Sequence, residues 1–102
     1  MERLITTFGS SVIERPDLEE QNLESTYGEW VVTVFDNEFN TWEEVMFILM
    51  AGTHCTEQEA YVETWEIDRL GKSVVHHGNR KDCLDAASII ATIGIRVEVS
   101  QE

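Results

Sequence analysis

An α+β fold is what this sequence predicts: a two-layer α/β sandwich of order β-α-α-β-α-β, with a three-stranded sheet carrying its helices on one face. Three observations predict it. Trp30-Val31-Val32-Thr33-Val34-Phe35 is a nearly continuous run of β-branched and aromatic residues, the composition of a strand. Thr41-Trp42-Glu43-Glu44 and Thr56-Glu57-Gln58-Glu59 are capping boxes, each opening a segment with apolar residues at helical spacing. Ile95-Arg96-Val97-Glu98-Val99 alternates apolar and charged residues strictly, the period of a strand with one buried face.

Residues 1–28 sustain neither a period of 2 nor one of 3.6. Gly9-Ser10-Ser11, Pro16 and the acidic Asp17-Leu18-Glu19-Glu20 favour irregular backbone there. The expectation is a flexible, acidic N-terminal extension over 1–28, with at most transient structure around Leu4 to Phe8, and a folded domain over 29–102. The first strand, Trp30 to Phe35, reads as buried on both sides. In the first box the Thr41 hydroxyl accepts from the Glu44 N–H while the Glu44 carboxylate accepts from the Thr41 N–H. Trp42, Val45, Met46, Leu49 and Met50 then share a helical face, and Gly52 is placed to help end the helix. The second helix has Ala60, Tyr61, Thr64, Trp65, Ile67 and Leu70 on its apolar side and Gly71 as its C-terminal cap. Ser73-Val74-Val75 makes a short strand. Asn79, with Asp82 three residues on, opens a third helix whose apolar face is Cys83, Ala86, Ala87, Ile90 and Ile93, closed by Gly94. Three strands and three helices cannot cover both faces of a sheet, so the helices are expected on one side.

Seven basic residues against twenty acidic ones give a net charge of −13, which repels phosphate backbones and anionic lipid and excludes nucleic acid and membrane surfaces as partners. No apolar run approaches the roughly 20 residues of a spanning helix, and no secretory leader opens the chain; the expectation is a soluble, cytoplasmic protein with its two cysteines reduced. His54, Cys55, His76, His77 and Cys83 fit no metal-ligand or nucleophile spacing. There is no Gly-rich phosphate loop and no serine elbow. Nothing in these residues points to catalysis, a metal or a cofactor, and none is expected.

Two blocks carry a resemblance. Phe35-Asp36-Asn37-Glu38-Phe39-Asn40-Thr41 resembles the Asp-Asp-x-Phe-Asn-Thr turn, and Glu66-Ile67-Asp68-Arg69-Leu70-Gly71-Lys72-Ser73-Val74-Val75 is similar to the Val-His-x-x-Gly-Lys-Ala-Val block, of the ClpS family of Clp protease adaptors. The resemblance runs from about Trp30 to Val99. It implies recognition of the N-terminal residue of a protein substrate (an N-degron) and its delivery to a AAA+ unfoldase of the ClpA or ClpC type.

By position, Asp36 and Asn37 correspond to the family's amine-binding Asn/Asp and Asp, and Asp68 stands where the family has a histidine. A free α-ammonium, with a pKa near 8, is best met by carboxylate acceptors, which preserves the chemistry despite the change. The mapped walls of the side-chain pocket are Trp42, Val45, Thr64 and Ile67, with Trp42 and Thr64 where the family often carries methionine. At the unfoldase-docking surface implied by the family, Lys81 replaces an acid and Ala86 a base. The alternative is a diverged member of the same fold that serves as an interaction module without degron recognition.

Overall fold

The computed structural model describes Ile5–Phe8 as a strand and residues 29–102 throughout; the rest of the expected extension over 1–28 lies outside the described residues. In chain order the elements are β1 (Ile5–Phe8), β2 (Trp30–Phe35), α1 (Trp42–Thr53), α2 (Glu57–Leu70), β3 (Lys72–Gly78), α3 (Arg80–Ile90), a 3-10 turn (Ala91–Ile93) and β4 (Val97–Gln101). The three predicted strands and three predicted helices are all present, in the predicted order. The sheet is antiparallel throughout and its spatial order is β1-β4-β2-β3.

Its fourth strand, β1, pairs with β4 from Ile5 opposite Ser100 to Phe8 opposite Val97. The expectation of an irregular chain over 1–28 is thereby corrected for these four residues. Ile, Thr, Thr and Phe suit a strand, but four residues are too few to display a period, and the edge of β4 supplies the pairing.

Local chemistry sets the helix ends. Thr41 and Thr56 both form complete capping boxes, and Asn79 caps α3 by accepting from the Asp82 N–H. Glu44 is held below the ordinary carboxylate range by the Asn40 amide and the Thr41 N–H. Gly71, at φ 92°, caps α2 as predicted. Gly52 does not end α1: the left-handed residue is His54, at φ 61°, and Gly52 is inside the helix for another reason. A Cβ there would lie 2.9 Å from Ile90 Cγ1 and 3.1 Å from the Ala86 carbonyl oxygen, so glycine lets α1 and α3 approach closely. Gly52→Ala is expected to destabilise the domain by about 1 kcal/mol, the cost of overpacking outweighing the gain in helix propensity, and to lower Tm by about 4–8 °C in a thermal melt.

The core lies between the helices and the inner sheet face. Trp30, Val32 and Val34 of β2, Val97 and Val99 of β4, Val45, Ile48 and Leu49 of α1, Ile67 of α2, and Cys83, Ala86, Ala87 and Ile90 of α3 belong to it. The expectation that β2 is buried on both sides holds for Val31, while Thr33 and Phe35 are only half-buried. Phe35 is covered from outside by the Arg96 guanidinium, 4.1 Å from the ring centroid, and by Lys72 at 5.9 Å; long cationic side chains replace a second layer. On α2 the buried stripe is narrower than predicted. Ala60, Thr64 and Ile67 are inside, whereas Tyr61, Trp65 and Leu70 are exposed. This helix packs chiefly on α1 and β3, which cover one narrow stripe.

Glu63, also on α2, is half-buried, with Oε1 unpaired among the described residues. Desolvation, reinforced by Glu59 and Glu66, pushes its pKa from 4.5 up to about 7. Because the folded value is raised, the associated stability is fully present below about pH 4.5 and is lost as pH rises through about 7. At about 1.4 kcal/mol per pH unit, reduced for the half-exposed position, the loss is about 1–2 kcal/mol. Glu63→Gln is therefore expected to raise Tm at pH 8 and leave it nearly unchanged at pH 4, which paired melts would measure.

Candidate functional site

The carboxyl end of β2 builds the site. The Phe35 N–H donates to the Arg96 carbonyl at 3.0 Å, and the Asp36 N–H donates to the Gly71 carbonyl at 2.9 Å. Gly71 thus performs two tasks. Its N–H closes α2 onto Ile67 at 3.0 Å while its carbonyl holds the start of the turn, bringing Asp36 to the end of the helix that carries Asp68.

From Asp36 the chain turns through Asn37. The Asn37 Oδ1 accepts from the backbone N–H groups of Phe39 (3.1 Å) and Asn40 (3.0 Å), and its Nδ2 donates to Asn40 Oδ1 at 2.8 Å. Asn40 in turn donates through Nδ2 to Glu44 Oε1 (3.1 Å) and to the Ile93 carbonyl (2.9 Å). The turn is therefore tied both to the cap of α1 and to the segment before β4. An Asx turn feeding a capping box delivers Trp42 and Val45 to a set position.

All seven residues singled out from the sequence, Asp36, Asn37, Trp42, Val45, Thr64, Ile67 and Asp68, line one small pocket of about 80 Å³. Asn40 and Thr41 line it as well; the Asn37-x-x-Asn40-Thr41 spacing ahead of the capping box is the signal that could have found them. Val45, Thr64 and Ile67 are buried. The Thr64 hydroxyl donates to the Ala60 carbonyl at 2.7 Å, so its polarity is spent within the helix. Trp42 forms a wall: its Nε1 donates to Met46 Sδ at 3.2 Å and its ring lies 5.6 Å from that of Tyr61, tilted by 52°.

Besides the apolar walls the pocket has two acids, Asp36 and Asp68. The side chains of Asp36 and Asp68 have no hydrogen-bond or ion-pair partner among the described residues. Nearby cations are engaged elsewhere, Arg69 over the Trp65 ring at 5.2 Å and Lys72 and Arg96 over Phe35. Two carboxylates beside an apolar slot, with no cation paired to them among the described residues, suit a group that is cationic at one end and apolar at the other.

The remaining candidates are not at this pocket. Cys83 is in the core, and burial, with Asp82 and Glu29, pushes its thiol up to about 11, which keeps it a protonated packing residue. His77 lies beside Glu29 and Glu102, their ligand atoms within 4.8 Å of one another and all three residues exposed. Lys81 pairs with Asp85 at 3.1 Å on the surface of α3, and Ala86 is buried in the core.

Among the described residues no helix is long and apolar enough to cross a membrane. Human E3 ubiquitin-protein ligase UBR2 is 32% identical over 74 residues, 72% of this chain, and Caenorhabditis elegans E3 ubiquitin-protein ligase ubr-1 is 31% identical over 58 residues, 57% of it. The aligned stretch is a small part of those proteins, 4% and 3% of their lengths. Agrobacterium tumefaciens ClpS2, solved bound to L-phenylalaninamide, shares the fold with a TM-score of 0.69 at 16% identity, covering 74% of this chain and 98% of that one. Residues 25–96 match the family described as ATP-dependent Clp protease adaptor protein ClpS, and to that family the chain belongs.

Proposed function

We propose that this domain is an adaptor that binds proteins through their N-terminal residue and commits them to degradation. The α-ammonium is held by the Asp36 and Asp68 carboxylates, and the first side chain enters the slot between Trp42, Val45, Thr64 and Ile67. One observation carries the reading: two carboxylates without a partner among the described residues, from the end of β2 and the end of α2, line one pocket together with apolar walls. The ligand in the Agrobacterium structure, L-phenylalaninamide, has the chemistry this arrangement suits, a free amine next to an apolar side chain. Asn37 serves as the support of the turn, because both its carbonyl oxygen and its amide are already engaged. The task is binding and not catalysis, and it requires no metal or cofactor.

In its fuller form the proposal has the domain deliver its cargo in the cytoplasm to a AAA+ Clp unfoldase of the ClpA or ClpC type, which the family's description supports. A second setting is favoured by the 32% identity to part of a ubiquitin ligase: the same domain reading N-termini for a ligase. The pocket chemistry is common to both. The test is binding of fluorescent peptides that begin with Phe, Leu, Trp, Tyr or Ala, each with a free and an N-acetylated amine. Saturable binding that requires the free amine is expected. Failure of every peptide to bind would overturn the proposal in favour of an interaction module that has lost degron recognition.

A further inference from the structure

A second groove, of about 470 Å³, is lined by Trp42, Glu43, Met46, Glu57, Gln58 and Tyr61. It is separate from the acid-lined slot but shares Trp42 with it. Its chemistry is also different: two aromatic rings tilted at 52° with centroids 5.6 Å apart, a thioether, and carboxylates contributed by each of the two helices. Aromatic faces attract a cation through their quadrupole, and flanking carboxylates add charge complementarity. Tyr61 is 53% exposed, far more than core packing requires.

The two cavities are consecutive along one face of α2. Asp68, Thr64, Tyr61 and Glu57 are spaced by 4, 3 and 4 residues, which keeps them on one helical stripe. At about 1.5 Å per residue, Tyr61 is about 10 Å along the helix from Asp68. An extended peptide covers that distance in about three residues.

We infer that this groove is a subsite for a lysine or arginine at the second or third position of the bound peptide, so that the preferred cargo is an N-terminus whose apolar first residue is followed closely by a cation. This rests on the proposed binding of a free N-terminus at Asp36 and Asp68. The peptide runs from Asp68 towards Glu57, its backbone crossing the edge of Trp42 and its cationic side chain lying against the Trp42 and Tyr61 rings with Glu43 and Glu57 beside it.

The test uses the full chain and free-amine peptides with one first residue and Ala, Lys, Arg or Glu at positions two and three. Binding is measured for the wild type, Tyr61→Ala, the pair Glu43→Gln and Glu57→Gln, and a control pair outside the groove, Asp85→Asn and Glu102→Gln, which removes the same charge. Lysine or arginine peptides are expected to bind at least tenfold more tightly than glutamate peptides. That ratio should fall to about threefold or less in Tyr61→Ala and in the groove pair, with the alanine peptide's affinity retained in the groove pair, and persist in the control pair. An alanine peptide that binds through its free amine, with no preference between lysine and glutamate, overturns the subsite alone. A preference that the control pair reduces as much as the groove pair also overturns it, because the cause is then the overall charge. If the alanine peptide itself fails to bind, the subsite and the N-terminal reading fall together.

Discussion

Asp36→Asn or Asp68→Asn is expected to weaken binding of a free-amine peptide by roughly tenfold to a hundredfold, since a hydrogen bond to a charged group contributes about 1.5–3 kcal/mol. The substitution is nearly isosteric and leaves both backbones undisturbed. The Asp36 N–H bond to Gly71 involves no side-chain atom, and neither carboxylate has a partner to lose among the described residues. Thermal stability should accordingly stay within about 0.5 kcal/mol of the wild type, as for surface substitutions away from structural features. Affinity falling without stability is the outcome that separates a binding role from a structural one. The two changes together should cost less than the product of the single effects, because both carboxylates act on one ammonium. Asn37→Ala provides the contrast: its side chain accepts two backbone N–H groups and donates to Asn40, so affinity and Tm should fall together. Unchanged affinity in both aspartate variants would remove the carboxylates from the site.

Trp42→Ala is expected to change which first residue is accepted. The pocket of about 80 Å³ is well below the roughly 300–1,000 Å³ of ordinary ligand sites, and Trp42 closes one side of it, braced by Met46 and Tyr61. In the wild type, peptides beginning with a small apolar residue should therefore compete well against those beginning with Phe or Trp. Removing the indole should improve the large residues relative to Ala by roughly tenfold or more, within the range of about 1–3 kcal/mol that a change in hydrophobic pocket size produces. The measurement is the same peptide panel read as a ratio, so that a general loss of affinity cancels. A ranking identical to that of the wild type would mean that the indole swings aside at little cost and does not select.

Much of this was legible because it is local. Thr41, Thr56 and Asn79 announce helix starts through hydrogen bonds made within three residues, and Gly71 announces a helix end through its left-handed conformation. The alternation around Val97 and Val99 predicts a strand whatever its neighbours. What escaped is non-local. β1 is a strand only because the edge of β4 accepts it. Gly52 resembles a helix stop in sequence, and its value lies in the approach of Ala86 and Ile90 from α3. Tyr61, Trp65 and Leu70 look like core residues by type, and how wide a stripe of α2 is covered depends on which elements pack against it.

For the site, the resemblance to the ClpS family chose the seven residues, and the sequence by itself determined the elements that carry them: an acidic turn after the first strand, two helices with apolar faces and a glycine-capped end carrying Asp68. These are matters of residue type and spacing along one chain. Only the tertiary structure decided that the seven residues share a pocket, since that depends on the hydrogen bond from Asp36 to Gly71, which joins segments 35 residues apart in number. It also decided the division of labour within the turn. Asn37 and Asp36 look equivalent in a sequence, but the Asn37 amide both accepts and donates within the turn, whereas the neighbouring carboxylate, which can only accept, has no partner among the described residues.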